Sequence, residues 1–333
     1  MNKAAAVRAL LAQNPVVTAP MAGLTDQAFR EILREQGAGL IYTEMISDMA
    51  LCYNNQKTLA MLPASTEQGS LVVQLCGSSP ECMARAAQII EQKMRPTGQL
   101  FMLDINMGCP APKIVKNGEG SRLMQQPGLA VQLVQAVVGA VGDRLPVSVK
   151  MRLGWDDSSK NVLELAQRLV QAGASALAIH GRTREQFYAG RADWQLIAEA
   201  ADILPVPVIG NGDIDTLEVG VERMQNTHCA GLMIGRGLLG NPWLVRDLAR
   251  HFAGLPALPS PDRAEIFQLV RRHLRRQVEL QGEYMGVRVM RSHLPFYIKG
   301  LPGAAAVRGR LNTLNTADEV EAVLAEFLRP SGE

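Results

Sequence analysis

At 333 residues the chain is too long for one ordinary globular domain and fits one large barrel with a small appendage. Its 47% hydrophobic and 20% charged residues are ordinary soluble composition with ample core material, and no apolar run reaches membrane-spanning length. The net charge of +2 decides nothing about a polyanionic partner, so the local distribution of charge has to.

Met1 to Arg8 has the look of a signal peptide. Arg8 and Gln13 interrupt its apolar run, however, and Val16-Val17 starts a strand that the later pattern needs, so a signal is rejected. Short apolar strands then alternate with amphipathic helical stretches. The strands fall at 16–20, 40–43, 71–75, 101–105, 147–151, 176–180, 207–210 and 231–235, with helices such as 80–94, 129–141 and 162–172 between them. Ser79-Pro80 reads as a helix start, with serine as cap and proline in the first turn. Eight such units over about 250 residues predict an α/β fold, a (β/α)8 TIM barrel. A doubly wound open sheet is the rival. It has fewer strands and gives less reason for polar residues at nearly every strand end.

The run Leu100 to Leu103 reads as a buried strand that stops at Asp104. Gly108, Cys109, Pro110 and Pro112 follow, which forces a turn and presents the Cys109 thiol just past the strand. The other strand ends carry Pro20-Met21-Ala22, Glu44, Gln74, Asn106, Lys150 with Arg152, His180-Gly181-Arg182, Asn211-Gly212-Asp213 and Gly235-Arg236. Taken singly, Lys150 fits a solvated strand-end charge and His180 a structural histidine. So many polar groups converging on one barrel mouth are costly to bury without a ligand. Gly235 to Gly240 formally matches GxGxxG, but the helix 242–252 runs into a proline-rich stretch where a dinucleotide fold needs a second strand with an acid. A phosphate site formed by the last strand, its glycines and Arg236, completed by Asn211, Gly212 and Asp213, fits better.

Residues 254–261 (GLPALPSP) read as a linker. The expected organisation is a barrel over 1–253, that linker, and an all-helical domain over 262–333. Ile266, Val270, Leu274 and Val278 recur every fourth residue, and Thr316-x-x-Glu319 is a capping-box pattern. Between positions 271 and 310 there are nine cations (Arg271, Arg272, Arg275, Arg276, Arg288, Arg291, Lys299, Arg308, Arg310) and two acids (Glu279, Glu283), a local +7. Arg271, Arg272, Arg275 and Arg276 share a helical stripe. With Tyr284, His293, Phe296 and Tyr297 nearby, the segment reads either as a solvated face or as a polyanion footprint. The five cysteines (52, 76, 82, 109, 229) are widely spaced, without a CxxC pair. That argues against a disulfide framework or a metal site and fits a reducing cytoplasm.

Taken together, these motifs resemble the tRNA-dihydrouridine synthases. The matching residues are 19–23 (APMAG) with Thr25-Asp26, 73–75 (VQL), 104–110 (DINMGCP), 149–152 (VKMR), 179–183 (IHGRT), 209–213 (IGNGD) and 233–236 (MIGR), in the family's order across the barrel. The arginine-rich tail matches too, and the bacterial synthase B type is the nearest subgroup. The resemblance implies reduction of uridine in tRNA to 5,6-dihydrouridine by bound FMN, with NADPH as electron source. It implies that Pro20, Met21 and Ala22 line the flavin, Gln74 and Lys150 contact its ring, and His180 sits beside it. Asn211, Gly212, Asp213, Gly235 and Arg236 would bind toward the phosphate. Cys109 would be the general acid, protonating C5 as hydride reaches C6. Asn106, Arg152 and Arg182 at the mouth, and Arg271, Arg272, Arg275, Arg276, Arg288 and Arg291 on the tail, would meet the tRNA. Glu119 and Arg122 depart from the pattern, standing where the family usually has small residues. No separate NADPH motif is found, no metal or membrane partner is expected, and a monomer is the simpler state. A small-molecule FMN barrel, an inactive tRNA-binding barrel and a Schiff-base lyase using Lys150 remain alternatives at this level.

Overall fold

The computed structural model describes residues 2–328; Met1 and the end of the expected helical domain, 329–333, lie outside them. Eight parallel strands close a barrel in sequence order, β8 pairing back onto β1. They are β1 (Val16–Thr18), β2 (Leu40–Ser47), β3 (Leu71–Cys76), β4 (Leu100–Met107), β5 (Val147–Met151), β6 (Ala176–His180), β7 (Val208–Asn211) and β8 (Gly231–Ile234). Alternation along each strand separates two apolar sets. Val17, Leu40, Val72, Met102, Ala176, Ala178, Ile209 and Met233 form one cluster inside the barrel. Val16, Ile41, Leu71, Leu103, Val149, Leu177 and Ile234 belong to the larger core under the helices.

The helices of that half are α1 (Lys3–Gln13), α2 (Gln27–Glu35), α3 (Asp48–Cys52), α4 (Gln56–Leu59), α5 (Pro80–Met94) and α6 (Pro112–Lys116). After them come α7 (Pro127–Val141), α8 (Val162–Gln171), α9 (Trp194–Ile203), α10 (Leu217–Gln225) and α11 (Trp243–Phe252). The helix α5 shows how sequence sets such an element. Ser79 Oγ accepts from the Cys82 N–H at 3.3 Å and Pro80 occupies the first turn, as the Ser-Pro pair predicts. Met83, Ala86, Ala87, Ile90 and Met94 recur at three- and four-residue spacing and are buried. The helix α1 precedes the first strand, and its Val7 and Leu11 join the cluster inside the barrel.

No helix or strand occupies the proline-rich stretch after α11. Beyond it α12 (Arg263–Gln281), α13 (Glu283–Met290), α14 (Leu294–Tyr297), α15 (Ala304–Leu311) and α16 (Ala317–Leu328) gather around Val270, Leu274, Val287, Met290, Leu294, Val320 and Leu324. The same cluster includes Ile32 of α2 and Trp243 of α11, so the helical region is docked on the barrel through a shared apolar patch. The capping box is reciprocal. Glu319 N–H donates to Thr316 Oγ1 at 3.3 Å and Thr316 N–H to Glu319 Oε2 at 3.1 Å.

The expected ends of two strands are wrong in an informative way. The fourth strand does not stop at Asp104 but continues to Met107. Asp104 and Asn106 point into the barrel and are hydrogen-bonded there, so polarity does not break the strand. The second strand likewise runs past Glu44 to Ser47.

Candidate active site

Inward-facing polar residues stack in register toward the C-terminal end of the barrel. Gln74 pairs with Asp104 and Asp104 with Ser148 across neighbouring strands. Asp104 is wholly buried; its carboxylate accepts from Gln74 Nε2 at 2.7 Å and Ser148 Oγ at 2.6 Å. Burial outweighs those bonds and raises its pKa to about 6. One layer higher Asn106 lies beside Lys150, and His180 beside Asn211. This second layer forms the floor of a mouth-side cavity of about 540 Å³, within the roughly 300–1,000 Å³ usual for small-ligand sites.

Most of the expected site residues meet there. Pro20, Met21, Asn106, Cys109, Lys150, Arg152, His180, Asn211, Gly212, Asp213, Gly235 and Arg236 all line the cavity. Cys109 follows β4 on a turn held by Asn106, whose Oδ1 accepts the N–H groups of Gly108 (3.1 Å) and Cys109 (2.9 Å). Its carbonyl accepts from Ser121 N at 3.0 Å and Ser121 Oγ at 2.9 Å. Burial pushes the Cys109 thiol above its ordinary pKa, against the lowering pull of the Ala111 N–H, Arg152 and Lys150. The thiol is therefore protonated at neutral pH, able to donate and unsuited to attack.

Lys150 Nζ donates to Asn211 Oδ1 at 3.1 Å, while Asn211 Nδ2 donates to the Met233 carbonyl at 2.6 Å. Burial, aided by Arg152, lowers Lys150 to about 8, so at pH 7 it is mostly cationic. Burial and the surrounding cations push His180 well below its usual pKa and keep it neutral. Its Nε2 lies 3.4 Å from Arg182 Nη1 and accepts in that state. Arg152, lowered to about 10 mainly by burial, spans the mouth by donating to the carbonyls of Gly108, Thr183 and Phe187, each at 2.8 Å.

Other expected residues are placed differently. Gln74 lies below the lining, its Nε2 on Asp104 and its Oε1 accepting from Asn106 Nδ2 at 2.8 Å. Ala22 is outside the lining. Arg182 is 2% exposed and braces the loop, bonding Asp213 at 2.8 Å and the carbonyls of Ala189 and Gly190. Asp213 also lies 3.6 Å from Arg236, so the anion-binding corner carries its own carboxylate.

The arginine stripe on α12 is an ion-pair seam. Arg271 and Arg275 pair with Glu321, Arg275 also with Asp318 at 2.6 Å, Arg272 with Glu35, and Arg276 with Glu31 and Glu279. Most of these partners come from α2 and α16, outside the window in which the +7 was counted, so the local count overstates the free charge. Arg288 stacks on Tyr284 at 5.1 Å and Arg291 donates to the Leu314 carbonyl at 2.8 Å. Among the described residues Arg288, Arg291, Lys299, Lys113 and Lys116 have no carboxylate within ion-pair distance.

Residues absent from the sequence reading of the cavity also line it, among them Tyr188, Asp215, Phe296 and Lys299. Tyr188 projects between Arg152 and Arg236, with guanidinium carbons 5.7 and 4.5 Å from its ring. Phe296 and Lys299 come from the helical region, and only the docking of α14 on the barrel brings them there. Gly240 permits that approach. Its φ is +73°, and a Cβ there would stand 2.2 Å from the Phe296 carbonyl oxygen. Among the described residues no group of three His, Cys, Asp or Glu side chains could hold a metal ion, and no helix is long and apolar enough to cross a membrane.

A closed (β/α)8 barrel with a convergent set of titratable groups at its C-terminal mouth defines a barrel enzyme. The dihydrouridine synthase family model matches residues 17–330. A tRNA-dihydrouridine synthase B from Pseudomonas syringae pv. tomato is 38% identical over 315 residues, covering 94% of this chain and 91% of that one. A probable tRNA-dihydrouridine synthase from Rickettsia bellii is 37% identical over 313 residues, 94% of each chain. The chain belongs to the dihydrouridine synthase family. Among solved structures, an amine oxidase from Pseudomonas geniculata N1 that acts on 6-hydroxypseudooxynicotine superposes with a TM-score of 0.55 at 14% identity. That match covers 72% of this chain and 48% of the other, a likeness of fold.

Proposed function

We propose that this chain reduces uridine in tRNA to 5,6-dihydrouridine, using bound FMN and electrons from NADPH. Family membership supplies the reaction. The observation that carries the site assignment is the single cavity bounded by a protonated Cys109, a cationic Lys150 and a neutral His180.

The donor set fits a flavin. Lys150 Nζ at the cavity floor would donate to a ring carbonyl, and Pro20, Met21, Met233 and Leu239 would offer apolar surface to the ring. Gly212, Gly235 and Arg236 edge the rim on the side suited to a phosphate. When bound, FMN would supply two-electron hydride chemistry between NADPH and uracil C6. Cys109 would donate the Sγ proton to C5, where negative charge builds as C6 accepts hydride. Overall, NADPH, one proton and uridine become NADP⁺ and dihydrouridine. Asn106 positions the thiol through the Cys109 N–H, and Lys150 stabilises anionic charge at the cavity floor.

The target base has to leave its stack to reach this cavity, so the tRNA body must be gripped outside. We assign that role to the helical region together with the mouth, through Lys299, Arg288, Arg291, Lys113 and Lys116, while Arg271, Arg272, Arg275 and Arg276 mainly brace α12. We also propose that the protein acts as a cytoplasmic monomer. The test is anaerobic: reduce the flavin-loaded protein with NADPH, add tRNA lacking dihydrouridine, and follow the flavin absorbance. Reoxidation that requires that tRNA is expected; a reduced flavin indifferent to it refutes the proposal.

A further inference from the structure

Beside the cavity, in the loop after α6, lies Glu119, which the mechanism above does not use. The segment 119–121 brackets Cys109. Ser121 donates twice to the Cys109 carbonyl, through N at 3.0 Å and Oγ at 2.9 Å. Gly120, at φ +60°, leaves no room for a side chain: a Cβ would stand 2.7 Å from Cys109 O and 3.1 Å from Cys109 Cβ. Glu119 is tied down in turn. Its N–H donates to the Ile114 carbonyl at 3.2 Å, and its Oε2 accepts from the thiol of Cys76, at the end of β3, at 3.4 Å. A partly buried carboxylate is thereby fixed against Cys76, one residue from the glycine packed on Cys109.

The charges facing Cys109 come from few elements. Lys150 on β5 and Arg152 just past its end are both cationic and draw its proton off; Glu119 acts the other way. Cys76 is buried, its thiol pushed far up by burial and by Glu119, so it contributes a proton donor and no charge. Asp48, at the start of α3, adds an acid beyond Glu119, raised to about 6 by burial and by Glu119 itself. A thiol beside two cations ordinarily becomes a thiolate, whereas a proton donor to carbon has to keep its proton until the ring needs it.

We propose that Glu119 is a positioning residue for the Cys109 proton, its carboxylate, clamped by the Cys76 thiol, acting as the anionic counterweight to Lys150 and Arg152. The functional part of this inference rests on Cys109 as proton donor; the electrostatic part does not.

The test reads the thiol directly. The holoprotein, without tRNA or NADPH, is alkylated with iodoacetamide across pH, and modification of the Cys109 peptide is followed by mass spectrometry. Glu119→Gln removes the charge and keeps the shape. Its Cys109 should react about twofold faster or more at a fixed pH below the midpoint, because the larger thiolate fraction outweighs the lower nucleophilicity of a more acidic thiol. Glu119→Asp should restore much of the wild-type profile. If Gln disturbs the loop, Glu119→Ala repeats the measurement with a small side chain. In turnover, the alkaline limb of the pH profile should move down in parallel with the alkylation midpoint. Wild-type alkylation profiles in both the Gln and Ala variants would overturn the proposal. A shifted profile in a protein whose reduced flavin ignores tRNA would leave Glu119 in place and remove the uridine reading alone.

Discussion

Replacing Arg30 tests how the pocket loop is held. Arg30 on α2 is 3% exposed and grips Glu67, 2% exposed, through two bonds, Nε to Oε1 at 2.7 Å and Nη2 to Oε2 at 2.6 Å. Its Nη1 donates to the Thr25 carbonyl at 2.8 Å, and Thr25 Oγ1 accepts from the Met21 N–H at 2.9 Å. The chain of bonds therefore ends at a cavity-lining residue. Arg30→Met leaves a buried carboxylate alone, which costs about 3–5 kcal/mol. At roughly 2 °C per kcal/mol for a chain of this size, Tm should fall by about 6–10 °C. Arg30→Met with Glu67→Leu removes both charges and should recover most of the loss, since an apolar pair of similar volume offsets a buried ion pair. Flavin affinity should fall in the single variant and return in the double. Calorimetry on the two singles and the double, with flavin titration on each, checks all of this. A single variant within about 1 kcal/mol of wild type, or a double variant as unstable as the single, would refute the reasoning.

The other predictions concern chemistry, contact and pH. Cys109→Ala should bind flavin and tRNA normally while tRNA-dependent reoxidation slows by at least ~10²-fold, the usual worth of a general acid; stopped-flow absorbance measures it, and near-normal turnover removes Cys109 from the reaction. Arg271→Ala with Arg275→Ala should lower thermal stability through the lost Glu321 and Asp318 pairs and barely alter tRNA affinity. Lys299→Ala should instead weaken tRNA binding and reduce the slope of log affinity against log salt by about one; filter binding at several salt concentrations separates the two. His293, buried beside Phe29 and His273, is held down to about 4 by burial. The unfolded chain binds its proton first, so the stability this neutral histidine contributes is lost as pH falls from about 6.5 to 4. The stability of His293→Phe relative to wild type should therefore improve over that window in chemical denaturation, and a constant difference would count against it.

Sequence and structure agree where one period decides and part where distant segments meet. The fifth and sixth strands have their expected limits because each is a short apolar run with Lys150 or His180 at its end. Asp104 misled because a carboxylate reads as the end of a buried strand, and its partners Gln74 and Ser148 lie 30 and 44 residues away in sequence. The cavity floor was legible because polar residues at strand ends announce a barrel mouth. Tyr188 was not, since nothing but its distance past His180 marks it. Phe296 and Lys299 were visible as an aromatic and a cation, but not as neighbours of Arg236. The arginines of α12 were read against the acids of their own segment, whereas Glu31 and Glu35 are supplied by a helix some 240 residues earlier.

The first helix has a bearing on traffic. With Val7 and Leu11 of α1 seated among the interior side chains, the barrel is stoppered at its base. The space above Lys150 is then a cul-de-sac, in which whatever enters leaves by the same door. A nucleic acid parked across that door would bar dioxygen from anything lying beneath. On the proposed function, the cork that completes the bottom of the fold would make electron donor and nucleic acid share one entrance at the top and take turns there.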